Sequence, residues 1–203
     1  MTTNVTSFAV NFDYRCPFAR IAHLHVLEGL EAGADWEVSF LAFSLGQAHV
    51  EEGEVDVWDD PDADSGLLAL QVGVVVRDRF PDRFRAVHRA LFDARHVHGA
   101  HLRDPEVLRG ALTDHGVDAD AVFAEIEAGW PLKTVRREHE ASVGDLDVWG
   151  VPTFMLGEHA AFVRLMAPPD GDADVAVRTI DDIVAMLDRW PALNEFKHTS
   201  LRR

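Results

Sequence analysis

Two changes in hydrophobic periodicity divide this chain into three parts and restrict the folds that it can adopt. Four segments are predicted to form strands: residues 5–12, 36–43, 150–156 and 161–166. Apolar and polar residues alternate in the first two of them. Between the second and third of these segments, from residue 65 to about 145, the apolar spacing is helical throughout. The order predicts a β-α-β unit, a helical block, and a β-β unit closed by a last helix.

The helices are predicted from apolar spacing together with capping and turn residues. The first helix ends at Gly33, so the first two strands form a parallel pair with a right-handed crossover. Asp104 and Asp118 are the expected N-caps of two helices in the helical block, and Thr179 is the expected N-cap of the closing helix. The predicted helices span residues 16–30, 67–80, 83–96, 104–116, 118–129, 131–146 and 179–190.

Composition limits the classes of partner and the compartment. The 203 residues suit one large domain, or a domain with an insertion, and 47% of them are hydrophobic. The net charge of −16 argues against a general nucleic-acid binder, since such a surface repels phosphates. No apolar run approaches membrane-spanning length, and residues 1–7 have neither the basic region nor the apolar stretch of a signal peptide. The single cysteine excludes an internal disulfide, which fits a reducing compartment, so we expect a cytoplasmic protein. From the charge and the apolar runs, we expect neither nucleic-acid nor membrane partners.

That cysteine, Cys16, lies between the first strand and the first helix and is followed by Pro17. Unpaired N–H groups at a helix N-terminus stabilise a thiolate, and Arg15 and Arg20 flank the sulfur in sequence, so we expect a lowered pKa for Cys16. A buried structural cysteine explains the local sequence equally well at this point. The residue three positions on is Ala19, so the chain has no Cys-x-x-Cys pair.

Four stretches together resemble the DsbA-like branch of the thioredoxin superfamily: residues 12–19, 38–45, 91–108 and 150–154. That branch includes FrnE-type proteins, 2-hydroxychromene-2-carboxylate isomerases and kappa-class glutathione transferases. The resemblance implies an α/β protein with a thioredoxin fold, in which an all-helical domain separates the β-α-β and β-β-α halves. On this basis residues 1–55 and 147–203 form the thioredoxin-like domain and residues 56–146 form the helical insertion.

Within this branch, the chain most resembles the actinobacterial mycothiol-dependent nitroreductases. Those proteins carry Cys-Pro-Trp-Cys after a similar strand end, where this chain has Cys-Pro-Phe-Ala, and they share a tail like residues 190–197. The resemblance implies a thiol-dependent oxidoreductase. A glutathione transferase-like or isomerase-like enzyme, or a degenerate binding protein, is the alternative.

The resemblance also assigns roles to individual residues. Cys16 is the expected nucleophile, with Pro17, Phe18 and Ala19 completing its motif. Pro152 is an expected cis-proline facing Cys16. The residue before it offers backbone groups that pair with a peptide or small thiol. The expected substrate-binding or thiol-binding residues are Tyr14, Val151, Pro152, Thr153 and His96. Tyr14 and Phe18 flank Cys16 and are predicted to accept a flat, apolar or aromatic small-molecule substrate. From the chemistry of imidazole, His96 or His98 is predicted to line the cleft and act on a substrate proton.

Because Ala19 cannot resolve a mixed disulfide, a DsbA-like oxidase role is excluded for one chain. Three alternatives are left open. Cys16 forms a mixed disulfide with mycothiol or glutathione that a second small thiol resolves, it activates a bound thiol, or the site is degenerate and kept for binding. We favour the first two, with the small thiol as co-substrate and no tightly bound cofactor. A homodimer is left open.

A metal site is not expected, although three histidines cluster in sequence with two aspartates. These are His96, His98 and His101, with Asp93 and Asp104. Only a particular backbone bend would bring the three imidazoles onto one metal. Exposed or hydrogen-bonded histidines are therefore the preferred interpretation.

Overall fold

The computed structural model describes residues 6–61 and 66–200. Its strands are β1 (Thr6–Phe12), β2 (Trp36–Ala42), β3 (Thr153–Leu156) and β4 (His159–Phe162). Its helices are α1 (Pro17–Glu31), α2 (Leu45–Ala48), α3 (Leu67–Arg79), α4 (Pro81–His96), α5 (Pro105–Thr113), α6 (Ala119–Glu127), α7 (Trp130–Leu146) and α8 (Ala173–Arg189). Residue 5 of the first predicted strand and residues 62–65, which include the predicted start of the helical block, lie outside the described residues.

The four strands form one sheet in the order β2-β1-β3-β4. β1 pairs in parallel with β2, from Thr6 opposite Trp36 to Phe12 opposite Ala42. β3 runs antiparallel to both β1 and β4. Helix α1 connects the parallel pair and α8 packs beside it. The predicted thioredoxin fold is therefore confirmed.

Helices α3 to α7 lie between the two halves of this fold, as predicted. Helix α3 is central, because it packs against α4, α6 and α7 and is buried on every face over residues 69–76. Gly73 lies where α3 crosses the start of the thiol motif, and a Cβ there would collide with Tyr14 Oη. The close approach of α3 to Tyr14 thus requires glycine at this position.

An ion pair from the helical block covers the outer edge of β2. Arg77 Nη1 on α3 donates to the carbonyl of Phe40 at 2.7 Å, and the N–H of Ala42 donates to Glu138 Oε2 on α7 at 2.8 Å. The two side chains join each other at 2.7 Å. They thereby satisfy edge groups that would otherwise be open to pairing with another strand.

The boundaries of several elements differ from those predicted. Helix α8 begins at Ala173, capped by Asp172, whose carboxylate accepts from the N–H of Val175, so the prediction of Thr179 as N-cap is wrong. The apolar face of α8 extends back to Ala176, one turn before Ile180. Short helix α2 was not predicted. The predicted caps Asp104 and Asp118 are confirmed.

Within the described part of the chain, no helix has the length and apolarity that crossing a bilayer requires.

Candidate active site

The thiol of Cys16 joins the start of α1 to the loop before β3. Cys16 is the N-cap of α1, and its Sγ accepts from the N–H of Ala19 at 3.4 Å. The S–H donates to the carbonyl of Val151 at 3.3 Å. The side chain is only 8% exposed. The sulfur therefore links the N-terminus of α1 to the carbonyl of a residue 135 positions further along the chain.

The Val151–Pro152 peptide bond is cis, as expected from the resemblance. The carbonyl of Pro152 accepts from the N–H of Val163 at 3.0 Å, which fastens the loop to the segment after β4. The structure thus brings Cys16, Val151 and Pro152 together.

Burial raises the pKa of the Cys16 thiol above its ordinary value. The N–H groups of Ala19 and Phe18 act in the opposite direction, and the carboxylate of Asp13 adds to the increase. The predicted lowering of the Cys16 pKa is therefore wrong for this geometry. The two flanking arginines do not compensate, since Arg15 pairs with Asp13 and Arg20 pairs with Asp93, each at 2.7 Å.

Asn11, the penultimate residue of β1, holds both ends of the cis-proline loop. Its Nδ2 donates to the carbonyl of Gly150 at 3.1 Å, and its Oδ1 accepts from the N–H of Thr153 at 2.6 Å. Thr153 Oγ1 also donates to the Gly150 carbonyl, at 2.8 Å. Thr153 is buried, so its side chain supports the loop rather than facing a substrate as predicted.

Tyr14 is placed differently from the prediction. Its side chain is 1% exposed and packs edge-on against His88 and Phe92, so its ring is not available to a substrate. Its hydroxyl lies 2.8 Å from His88 Nδ1, and His88 Nε2 lies 2.9 Å from His23 Nδ1. His23 Nε2 in turn lies 3.0 Å from the carbonyl of Asn11.

The direction of this buried chain follows from its last acceptor. A carbonyl only accepts, so His23 carries its proton on Nε2, His88 donates to His23, and Tyr14 donates to His88. Burial lowers the pKa of His23 to about 4 and that of His88 well below its ordinary value, and it raises the pKa of Tyr14. The three hydrogen-bonded side chains are therefore all neutral. They connect α4 and α1 to Asn11, the residue that holds the cis-proline loop.

His96 lies at the end of α4, where its Nε2 donates to the carbonyl of Tyr14 at 2.9 Å. Burial lowers its pKa, and the neighbouring charges of Arg20 and Arg95 add to that effect, against the Tyr14 carbonyl and Asp93. His96 is thus held beside the thiol motif by a backbone contact. Its action on a substrate proton stays a prediction.

His98 and His101 are exposed. Across residues 6–61 and 66–200, the structure brings together no group of three histidine, cysteine or acidic side chains suited to a metal. The three histidines therefore do not form a shared ligand set.

Phe18 is half-buried, and the guanidinium of Arg164 lies over its ring, 5.1 Å from the centroid. The sequence reasoning missed Arg164 as well as Asn11 and His88. Asn11 carried a usable signal, because a polar residue near the end of an otherwise apolar strand implies a buried hydrogen-bond partner. Arg164 and His88 carried no such signal, because their partners are distant in sequence.

The fold is shared with solved structures of low sequence identity. A probable DsbA oxidoreductase from Streptomyces coelicolor has a TM-score of 0.62 at 17% identity, covering 95% of this chain and 93% of that one. A 2-hydroxychromene-2-carboxylate isomerase has a TM-score of 0.61 at 13% identity, covering 90% of this chain and 98% of that one. BdbD from Bacillus subtilis has a TM-score of 0.60 at 13% identity, covering 91% and 90%.

Sequence comparison gives a relative and a family. The uncharacterized protein Rv2286c of Mycobacterium tuberculosis is 26% identical over 170 residues, which are 83% of this chain and 73% of that protein. Residues 9–167 match the DSBA-like thioredoxin domain, a range that runs from β1 through the helical block to the segment after β4. By this match, the chain belongs to the family of DSBA-like thioredoxin domains.

Proposed function

We propose that the chain is a thiol-dependent oxidoreductase that acts through Cys16 together with an external low-molecular-weight thiol. The observation that carries this proposal is the 3.3 Å contact between Cys16 Sγ and the carbonyl of Val151, on a cis-proline loop within a DSBA-like domain. The solved structures of this fold include enzymes named as oxidoreductases and as an isomerase. These names support an enzyme of thiol chemistry.

The first step follows from the contacts of the neutral thiol. An incoming disulfide with its own N–H donor replaces Cys16 S–H at the Val151 carbonyl, and the thiol proton passes to water. The thiolate is then stabilised by the N–H groups of Ala19 and Phe18. It attacks one sulfur of the external disulfide. A Cys16 S–S bond forms, the external S–S bond breaks, and one external thiolate leaves.

The second step needs a thiol from solution, because Ala19 offers none. A reduced external thiol loses its proton and attacks the mixed disulfide. A new external disulfide forms and Cys16 is released as a thiolate, which takes up a proton. Mycothiol and glutathione are the proposed thiols. The resemblance of residues 12–19 and 190–197 to mycothiol-dependent nitroreductases supports mycothiol.

A second candidate is isomerase-like or transferase-like chemistry, in which Cys16 forms a hydrogen bond to a bound thiol but no covalent bond. The raised pKa of Cys16 favours this alternative, since a neutral S–H donates a hydrogen bond to a bound thiolate sulfur. The likeness to the isomerase, over 98% of that chain, is compatible with it.

Intact-mass measurement after incubation with oxidised mycothiol or oxidised glutathione tests the main proposal. We expect one adduct per chain on the wild type, none on Cys16→Ser, and loss of the adduct on addition of the reduced thiol. No adduct with either disulfide would contradict it. Thiol-dependent turnover that survives Cys16→Ser would support the second candidate.

A further inference from the structure

Arg164 is an exposed cation beside the thiol motif, and no carboxylate in the described part of the chain neutralises its charge. Its guanidinium lies over Phe18, only two residues after Cys16. Among the described residues, no carboxylate lies within ion-pair distance of Arg164, whereas Arg15 and Arg20 each have one. In a chain of net charge −16, an unpaired arginine has donors available for an anion from solution.

An aromatic surface lies next to the same loop. Trp149 is 69% exposed and stacks on Phe162 with ring centroids 4.6 Å apart and planes at 37°. Trp149 comes two residues before Val151, and Phe162 pairs with Thr153 in the sheet. The next residue after Phe162 donates its N–H to Pro152. Trp149 and Arg164 are therefore both attached to the segments that form the cis-proline loop.

The combination has a definite chemical preference. An exposed indole face stacks on a flat ring. A guanidinium recognises a carboxylate through two parallel N–H donors. Isolated exposed apolar residues need no explanation. Here, however, an exposed aromatic pair and an exposed cation are attached to the segments that form the cis-proline loop, so one ligand at that loop has an apolar and a cationic group to bind.

We propose that Arg164 and Trp149 form a subsite for a small disulfide or thiol in which an aromatic ring carries a carboxylate. This inference rests on the proposed function, because Cys16 is the group that would react with such a substrate. Arg164 binds the carboxylate, Trp149 stacks on the ring, and the sulfur of the substrate reaches Cys16. The exchange is the one written above, with two electrons passing from external thiol to external disulfide.

Two aromatic disulfides, one anionic and one uncharged, test the subsite. Dithiobis(nitrobenzoate) carries a carboxylate on each ring, and dithiodipyridine carries none. We expect Arg164→Gln to lower the rate constant of Cys16 with the first about tenfold, and to leave the second within about twofold. Trp149→Ala should slow both. Arg164→Lys should recover part of the loss, because it keeps the charge but not the paired donors.

Arg85→Gln is the matched control. Arg85 is exposed on α4, eleven residues from His96 and therefore about 16 Å along the helix from the thiol end. It should leave the ratio of the two rate constants unchanged. A ratio that is insensitive to Arg164→Gln, or that falls equally in Arg85→Gln, would overturn the subsite.

Binding of thionitrobenzoate, the anionic half of the first disulfide, to Cys16→Ser separates the subsite from the reaction. We expect NMR shifts centred on Trp149 and an affinity about tenfold weaker when Arg164→Gln is added. Absence of binding would overturn the subsite. Binding without any reaction of wild-type Cys16 would leave the subsite standing and contradict only the proposed function.

Discussion

At the scale of single residues, Cys16 is held as a neutral thiol by two backbone groups from different elements. The N–H of Ala19 and the carbonyl of Val151 fix its sulfur, and burial opposes ionisation. In the proposed reaction, a substrate group that competes for the Val151 carbonyl also releases the thiol proton, so substrate binding and activation of the sulfur are coupled through one acceptor.

Asn11 should be a major support of this arrangement. Asn11→Ala leaves the buried N–H of Thr153 without its side-chain acceptor and removes one donor from Gly150, so we expect a loss of about 2–4 kcal/mol in unfolding free energy. Urea denaturation measures it. The control is Asn194→Ala, at an exposed position, which should change the free energy by less than about 0.5 kcal/mol. Equal effects of the two substitutions would show that the loop does not depend on Asn11.

Ala19→Cys should convert the site into a two-thiol site. Ala19 is fully buried, and its N–H already contacts Cys16 Sγ, so a sulfur there lies within disulfide reach. After mild oxidation, intact mass should show the loss of two hydrogens, and the mixed disulfide should no longer accumulate.

Ala22→Cys is the matched control, at a position that is also fully buried on α1 but six residues from Cys16, or about 9 Å along the helix. It should form no internal disulfide. If Ala19→Cys also forms none, the side chain at residue 19 does not face the thiol.

At this scale the sequence indicated the position of Cys16 and its cis-proline partner but not the electrostatics. Helix position and flanking arginines favoured a thiolate. Burial and the pairing of Arg15 with Asp13 and of Arg20 with Asp93 depend on tertiary packing, which local sequence does not report. The prediction that Tyr14 contacts substrate was wrong for the same reason, since the partner that holds it in the core, His88, is 74 residues away in sequence.

At the scale of elements, the helical block is joined to the sheet through Arg77 and Glu138. Their side chains are 18% and 12% exposed, and each also binds a backbone group of β2. The pair therefore replaces a missing neighbouring strand. Sequence patterns identified both helices, but no pattern indicated which of their charged residues would face the sheet edge.

Glu138→Ala should destabilise the protein by about 1–3 kcal/mol, because it leaves the N–H of Ala42 without its acceptor and leaves the partly buried Arg77 guanidinium with only Asp78 and the carbonyl of Phe40. Glu140→Ala, two residues along α7, removes only an exposed pair with Arg136 and should cost less than about 0.5 kcal/mol. Chemical denaturation of the two variants gives the comparison. Similar losses would mean that the Arg77 pair contributes no more than a surface pair.

At the scale of the whole molecule, the order of hydrophobic periods was sufficient to predict the order of strands and helices along the chain, and the family resemblance supplied the thioredoxin fold. Alternation marked the strands, and helical spacing marked the block between them. The start of α8 was predicted wrongly because threonine is a residue type that commonly caps helices, but Thr179 lies inside a helix whose apolar face begins earlier, at Ala176. The order of elements is predictable because each hydrophobic period extends over many residues. The first residue of a helix is harder to predict, because several nearby residues can serve as its cap.

Stability should fall in mild acid because three histidines are buried as neutral groups. The pKa values of His23 and His139 are lowered to about 4, and that of His88 lies well below its ordinary value. As pH falls below about 6.5, the unfolded chain takes up protons that the folded chain does not. The contribution is therefore complete above about pH 6.5 and is lost towards pH 4, at up to about 1.4 kcal/mol per pH unit for each histidine.

Unfolding free energies between pH 7.5 and 5 measure this slope. His139→Phe removes one of the three groups at a site where Nδ1 has no hydrogen-bond partner and the ring packs on Phe43 and Trp58. The slope of unfolding free energy against pH should decrease, around pH 5, by up to about 1.4 kcal/mol per pH unit, the contribution of one histidine. An unchanged slope would contradict the assignment of His139 as neutral.

In the proposed function, Cys16 relays electrons between external thiols and disulfides without a second cysteine. The most direct measurement is the rate at which reduced mycothiol or glutathione reduces a small disulfide in the presence of catalytic amounts of the protein. We expect an acceleration proportional to protein concentration that disappears in Cys16→Ser. Equal rates for the wild type and Cys16→Ser would contradict it.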